Sequence, residues 1–523
     1  MENLKFEELT LEQKLGMLYC ARPKSDEDID YTVELIKKRA LGCVQLSPKK
    51  PHHMQRVREA ADYPLLIICD TEKGFPTSEL PKISLMALSA CNEPKYFRTF
   101  AKGVAVQAKE AGFNGTWGPV VDVLDPIRGG SPSRKFSDDP MRVARCAEEI
   151  ARVYKQYGYL SCGKHYPGGT RALGYDSHMA PTYSNDTEED LRNHDLIPYK
   201  YLMDKGLLPS IMTNHTNFAK IDPDNAGTLS PKVQGIIRDM GFEGVCFSDS
   251  FAMMAVLQQY GEENIQGLAI AAGVDIVLPN YRTSVQKSFE YLVKNYQDGM
   301  FTEERLDEAV RRVLKAQEFV GTAPETQEPL NDEDLAIFDS MAKDCITAVC
   351  DEGIDAALPT GKRHLFVIVT DNTFSQDEAV AALEISEKEW YFPERIAQKI
   401  REVYPDAGII YLPELPNAKE NERVLVESKK HDDVVFVTYC NTAAYLGTDC
   451  MTRRVERLID CVNLAGKLEA VVHFGNPFAL QPLLHVKRKI LGYNMPTTQP
   501  YTIDVLAGKI PAKGTLPFDV KFK

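Results

Sequence analysis

From Leu41 to Asn280, short continuous apolar runs alternate with longer stretches whose apolar positions recur at helical spacing. The short runs predict strands buried on both faces, and the longer stretches predict amphipathic helices; together they predict a parallel sheet covered by helices. The expected strands are LGCVQLS from Leu41, YPLLIICD ending at Asp70, NGTWGPVVDV ending at Val123, YLSCGKHY ending at Tyr166, LPSIMTNH ending at His215, GVCFSDS ending at Ser250 and VDIVLPN ending at Asn280. In most of them a polar or ionisable residue stands at the carboxyl end. That asymmetry predicts a TIM-like (β/α)8 barrel, whose site is built where its strands end. A doubly wound open sheet shows the same local alternation, and the length of the region favours the barrel.

The helical pattern from Thr302 to Gly321 opens on a Thr cap followed by Glu and closes on Gly, which marks it as a complete helix. The polar, Pro-containing stretch behind it reads as a linker over 323–334, separating a barrel domain over 1–322 from a smaller α/β domain over 335–523. In the latter the expected strands are HLFVIVTD, AGIIYLPE, DDVVFVTYCN, LEAVVHFGN and KRKILGYN.

Composition narrows the function classes. The 523 residues are 44% hydrophobic and 26% charged, as in an ordinary globular protein. A net charge of -14 argues against nucleic acid as partner, because phosphate neutralisation needs a basic face. The first thirty residues lack the apolar core of a secretory leader, and no run is long and apolar enough to span a membrane. The twelve Cys occur without CxxC pairs, so the expectation is reduced thiols, a cytoplasmic location and no zinc site. Neither a phosphate loop, an HExxH, a GxSxG elbow nor a GxGxxG after the first strand is present, so no cofactor and no metal are expected.

The candidate chemistry lies in two segments, KHYPGGTRALGYDSH over 164–178 and GFEGVCFSDS over 241–250. Asp249 ends an apolar strand beside the small Ser250 and is the candidate nucleophile; the alternative is an Asp that merely caps the next helix. Asp176 precedes His178 by two residues in a Gly-rich loop. A carboxylate so placed supports an imidazole as general acid and base. Lys164, His165 and Arg134 are the expected clamps for substrate oxygens, and Asp70 complements them by accepting hydrogen bonds from hydroxyls. Asp122, Asn214 and His215 also end strands, and the sequence leaves them equally structural or functional. These groups point to an enzyme acting on a polar substrate.

The same residues resemble glycoside hydrolase family three, in its bacterial β-N-acetylglucosaminidase branch. The resemblance runs through LTLEQKLGMLY, ICDTEKG, TWGPVVDV, SRKFSDDP, KHYPG, DSHMAP, MTNHTNFAKIDPDNAGTLS, IIRDMGFEGVCFSDSFAMM and AAGVDIVLP, then VVHFGNPFAL and VLAGKIPAKGTLPFDV. It implies a barrel followed by an α/β sandwich domain, and a retaining mechanism with Asp249 as nucleophile and His178, supported by Asp176, as acid/base. Asp70, Arg134, Lys164 and His165 would hold the terminal sugar. The implied partner is a carbohydrate with a terminal β-linked amino sugar, and phosphorolysis, a β-glucosidase, a β-xylosidase and a sugar-binding protein without catalysis remain as alternatives. The chain departs from the branch in reading KHYPGGT for KHFPGHG, with one extra residue before Asp176, in having Lys73 and Phe75 where Gly and Arg are usual, and in Ser250 where a second Asp is frequent.

Overall fold

The computed structural model describes residues 2–125, 132–169, 176–323, 328–370, 391–440, 451–493 and 495–519. Two compact units divide the chain. One comprises Met1–Glu79, Phe97–Gly130 and Lys135–Asn331; the other comprises Leu80–Tyr96, Ser131–Arg134 and Asp332–Lys523.

In the first unit, β1 (Cys20–Ala21), β2 (Cys43–Gln45), β3 (Leu66–Cys69) and β4 (Gly115–Thr116) form one parallel sheet. β5 (Gly163–Tyr166), β7 (Ser210–Thr213), β9 (Val245–Ser250) and β10 (Ile276–Leu278) form a second, in the order β10-β9-β7-β5. Parallel bridges from Tyr19 to Val277, Gly115 to Leu160 and Val120 to Lys164 join the free edges, so the eight strands close into a barrel. A separate parallel pair, β6 (Tyr183–Ser184) and β8 (Asn217–Phe218), stands outside this ring. Seven of the eight strands coincide with expected runs. The eighth, β1, is two residues long and too short to show any period.

Burial follows the strand reading. All four residues of β3 are buried, as a sheet covered on both faces requires. Along β9, Val245 to Ser248 are buried while Asp249 and Ser250 are half-buried, so the apolar part lies in the wall and the polar end emerges. The helix Pro140–Gln156 shows how the outer layer forms: Asp139 caps it, Pro140 opens it, and Val143, Ala147, Ile150, Ala151 and Tyr154 are buried at helical spacing. Just before β10, the fully buried Asp275 accepts hydrogen bonds from Arg238 and Arg305, both at 2.7 Å, from Arg312 at 3.1 Å and from the Cys246 amide at 2.9 Å.

The second unit is built on a six-stranded sheet in the order β11-β16-β15-β14-β12-β13, from β11 (Thr347–Cys350), β12 (His364–Thr370), β13 (Gly408–Pro413), β14 (Asp433–Cys440), β15 (Leu468–Gly475) and β16 (Arg488–Tyr493). All neighbours are parallel except the edge strand β11, antiparallel to β16. Alternate positions Phe366, Ile368, Val435, Val437, Val472 and Phe474 share a core with Ile396 and Ile400 of helix Pro393–Val403 and Ile503 of helix Gln499–Leu506.

The chain order of the units differs from the single cut expected at 323–334. The helix Leu85–Cys91 is buried along its whole length and belongs with the C-terminal residues: the Ala90 carbonyl accepts from the Thr515 amide, and the Tyr96 hydroxyl donates to Asp344. The helix Asp332–Asp344 also begins inside the stretch read as linker. A helix buried on every side carries no periodicity that names its partner.

Candidate active site

The strand ends of the barrel gather most of the residues singled out in the sequence. β5 presents Lys164 and His165. Lys164 is buried and its ammonium lies 3.2 Å from Glu72 and 4.0 Å from Asp70, two residues of the loop that follows β3. Asp70 itself is largely exposed, with its Oδ1 accepting the Glu72 amide at 3.2 Å. The buried Asp122 grips His165 twice, accepting its backbone N–H at 2.8 Å through Oδ1 and its ring Nδ1–H at 2.8 Å through Oδ2. The His165 ring is thereby fixed in orientation, with Nε2 left to face other groups.

The DSH segment has its own internal brace. Asp176 Oδ1 accepts both the backbone N–H and the ring Nδ1–H of His178, at 2.9 and 2.7 Å. An ionised carboxylate on Nδ1 leaves Nε2 as the position that gives and takes a proton. The segment is tied to the residues beyond β9: the Met254 amide donates to the His178 carbonyl at 3.1 Å and the Ala255 amide to the Ser177 carbonyl at 3.2 Å. The loop carrying His178 is thus bound along the chain just past Asp249. Residues 170–175, which include the extra residue before Asp176, lie outside the described residues.

Asp249 completes the set. Burial opposes its charge, yet His165, His215, the Ser250 amide at 2.7 Å and His178 outweigh that penalty and hold its carboxyl below the usual range. Asp122 behaves alike: burial is overcome by the charge and hydrogen bonds of His165 and by Lys135. His215 answers the question the sequence left open. It is fully buried, its Nδ1 pairs with Thr228 at 2.9 Å and its Nε2 with the Ser250 carbonyl at 3.2 Å, which ties it to the strand end that carries Asp249, and burial pushes its pKa down. Asn214 donates to the carbonyls of His165, at 3.2 Å, and Gly168.

Arg134 is half-buried on the short turn Pro132–Arg134, which belongs to the second unit. Two residues missed in the sequence join the set that the barrel strands gather. Glu72 is the close partner of Lys164, and the only sign of it was its place in the same DTEKG loop as Asp70. Arg22 donates to the Ser250 hydroxyl at 2.6 Å and to the Pro279 carbonyl at 3.2 Å; it follows the unrecognised strand β1.

The departures from the resembling branch have physical reasons. Gly169 stands at φ 87°, and a Cβ there would lie 2.9 Å from the Phe218 ring, so this turn requires glycine. Phe75 is buried and packs edge to face on Phe113, which makes it a core residue. Among the described residues, Asp26, His52 and His53 bring potential ligand atoms within 4.8 Å of one another. This cluster shares no residue with the constellation around Asp249. No described helix is long and apolar enough to cross a membrane.

Residues 10–316 match the glycosyl hydrolase family 3 N terminal domain. Over 98% of its length the chain is 25% identical to a "Beta-N-acetylglucosaminidase/beta-glucosidase" of Cellulomonas fimi, covering 94% of that protein. It is 34% identical to a "Beta-hexosaminidase" of Photobacterium profundum over 28% of this chain, a match that spans only 43% of that relative's length. Among solved structures, a glycoside hydrolase family 3 β-N-acetylglucosaminidase from Paenibacillus sp. str. FPU-7 shares the fold with a TM-score of 0.79 at 24% identity, covering 98% of this chain and all of that one.

Proposed function

The chain belongs to glycosyl hydrolase family 3, and from that premise we propose that it is an exo-acting retaining β-N-acetylglucosaminidase working through Asp249 and His178. The observation that carries this reading is the attachment of the braced Asp176–His178 pair to the chain just past Asp249, with Asp249 held ionised. A proton donor and a carboxylate nucleophile are what splitting a glycoside in two steps requires.

In the first step the Asp249 carboxylate attacks the anomeric carbon while the His178 Nε2 proton passes to the departing glycosidic oxygen; one C–O bond forms and one breaks. In the second, His178 takes a proton from water, whose oxygen attacks the same carbon and frees Asp249. Asp176 steadies the imidazolium that donates its proton in the first step and is regenerated in the second. Asp70, Lys164 and His165 bind the hydroxyls of the terminal sugar, with Glu72 setting Lys164 and Asp122 setting His165 in place. The Cellulomonas fimi β-N-acetylglucosaminidase/β-glucosidase and the Photobacterium profundum β-hexosaminidase support an amino sugar. The first of them is also named a β-glucosidase, which makes a β-glucoside the second reading. A cytoplasmic location is part of the same proposal, and the free thiols of Cys20 and Cys43, with Sγ atoms 3.3 Å apart, support it.

The test is kcat/KM on 4-nitrophenyl β-N-acetylglucosaminide, β-glucoside and β-xyloside, with and without inorganic phosphate. A preference of at least ~10-fold for the N-acetyl substrate is expected. Equal or better turnover of the glucoside would overturn the amino-sugar reading, and a rate that rises with phosphate would replace hydrolysis by phosphorolysis.

A further inference from the structure

Two helices of the barrel's outer layer, Asp26–Lys37 behind β1 and Pro51–Ala60 behind β2, lie side by side with ionisable groups matched turn for turn. On the second turn Arg56 pairs with Asp30. One turn earlier, the Nε2 atoms of His53 and His52 converge on the same oxygen, Asp26 Oδ1, at 3.2 and 3.8 Å. The two imidazoles meet edge to face with centroids 4.3 Å apart. The backbones that carry them are tied together: Ser25 caps the first helix, and the Lys50 ammonium donates to the Lys24 carbonyl at 2.9 Å.

We propose that Asp26, His52 and His53 form a binding site for a late divalent transition metal, zinc above all, which clips the two helices together. The donor set is chemically apt, since imidazole nitrogen and carboxylate oxygen together suit zinc, whereas calcium and magnesium demand oxygen ligands. The spacing is apt as well. With metal–ligand bonds near 2.1 Å, the edge of a tetrahedron is about 3.4 Å, and the two Asp26 separations bracket that value. All three donor atoms lie within 4.8 Å of one another, and a small turn of the largely exposed His52 ring closes the remaining edge. His53 is buried, so its ring is held in place by the surrounding packing. The exposed side of the cluster leaves the fourth position to water.

Neither helix supplies a group of the Asp249 constellation, so the site acts on stability and not on the reaction. The experiment is calorimetric titration of chelator-stripped protein with Zn2+, repeated with Co2+ while its visible absorption is read, for the wild type, His52→Ala and Asp26→Asn. Both substituted side chains are exposed, so the variants are expected to fold. One equivalent of zinc, a Co2+ spectrum free of a thiolate charge-transfer band, affinity at least about tenfold weaker in each variant, and a zinc-dependent rise in melting temperature lost with them are the expected results. Wild-type protein that takes up no zinc, uptake equal in the variants, or a thiolate band pointing to one of the cysteines would each overturn the proposal.

Discussion

His178 receives from Asp176 the same treatment that His165 receives from Asp122: one carboxylate on both the backbone N–H and the ring Nδ1–H. Bracing both rings in this way leaves Nε2 of each to face other groups. Their roles separate by leaving group. His178→Ala is expected to lower kcat/KM for a natural disaccharide by about 10²–10⁴-fold, while an aryl glycoside with a good leaving group, which needs little proton donation, loses far less in its first step. Equal losses on both substrates would contradict the acid role. The sequence made the 176–178 pair legible because its members are two residues apart. It left Asp122 ambiguous because its partner His165 is remote in the chain and only the barrel brings the two together.

At the scale of the elements, two polar groups decide stability. Asp275, buried before β10, pairs with three arginines drawn from helix Pro231–Asp239 and helix Glu303–Gly321. Asp275→Ala leaves those guanidinium groups without their shared partner, and a loss of about 3–5 kcal/mol is expected in denaturant unfolding; a change below ~1 kcal/mol would show that water replaces the carboxylate. In the second unit, His473 on β15 is fully buried between Thr438 and the Asn476 carbonyl, and burial lowers its pKa to about 4. Its folded pKa lies below its unfolded value of about 6.5, so the unfolded chain binds the proton first. This unit is therefore expected to lose stability as the pH falls from about 6.5 towards 4, by roughly 3 kcal/mol in all, and a His473→Gln variant that keeps the same acid sensitivity would refute the assignment. Strands with long apolar runs were legible, whereas β1 and β11 were not. β1 is two residues long, and β11 is a four-residue edge strand with three half-buried positions, so neither imprints a period on the sequence.

For the molecule as a whole, closing eight parallel strands places every strand end on one face, and this is why residues from four separate segments meet around Asp249. Barrel and sandwich class were legible from alternation and resemblance. The interleaving of units was not, since the helix Leu85–Cys91 is buried on all sides and most of its unit comes after Asn331. The proposed mechanism requires Asp249 to become glycosylated, which acid-quenched peptide mass analysis of His178→Ala during turnover of an activated aryl β-N-acetylglucosaminide would detect. Without His178 to activate water the covalent species accumulates, and an added N-acetylhexosaminyl mass on the peptide containing Asp249, absent when Asp249→Ala is introduced as well, is expected. Turnover without any adduct, or an adduct on a different carboxylate, would contradict it.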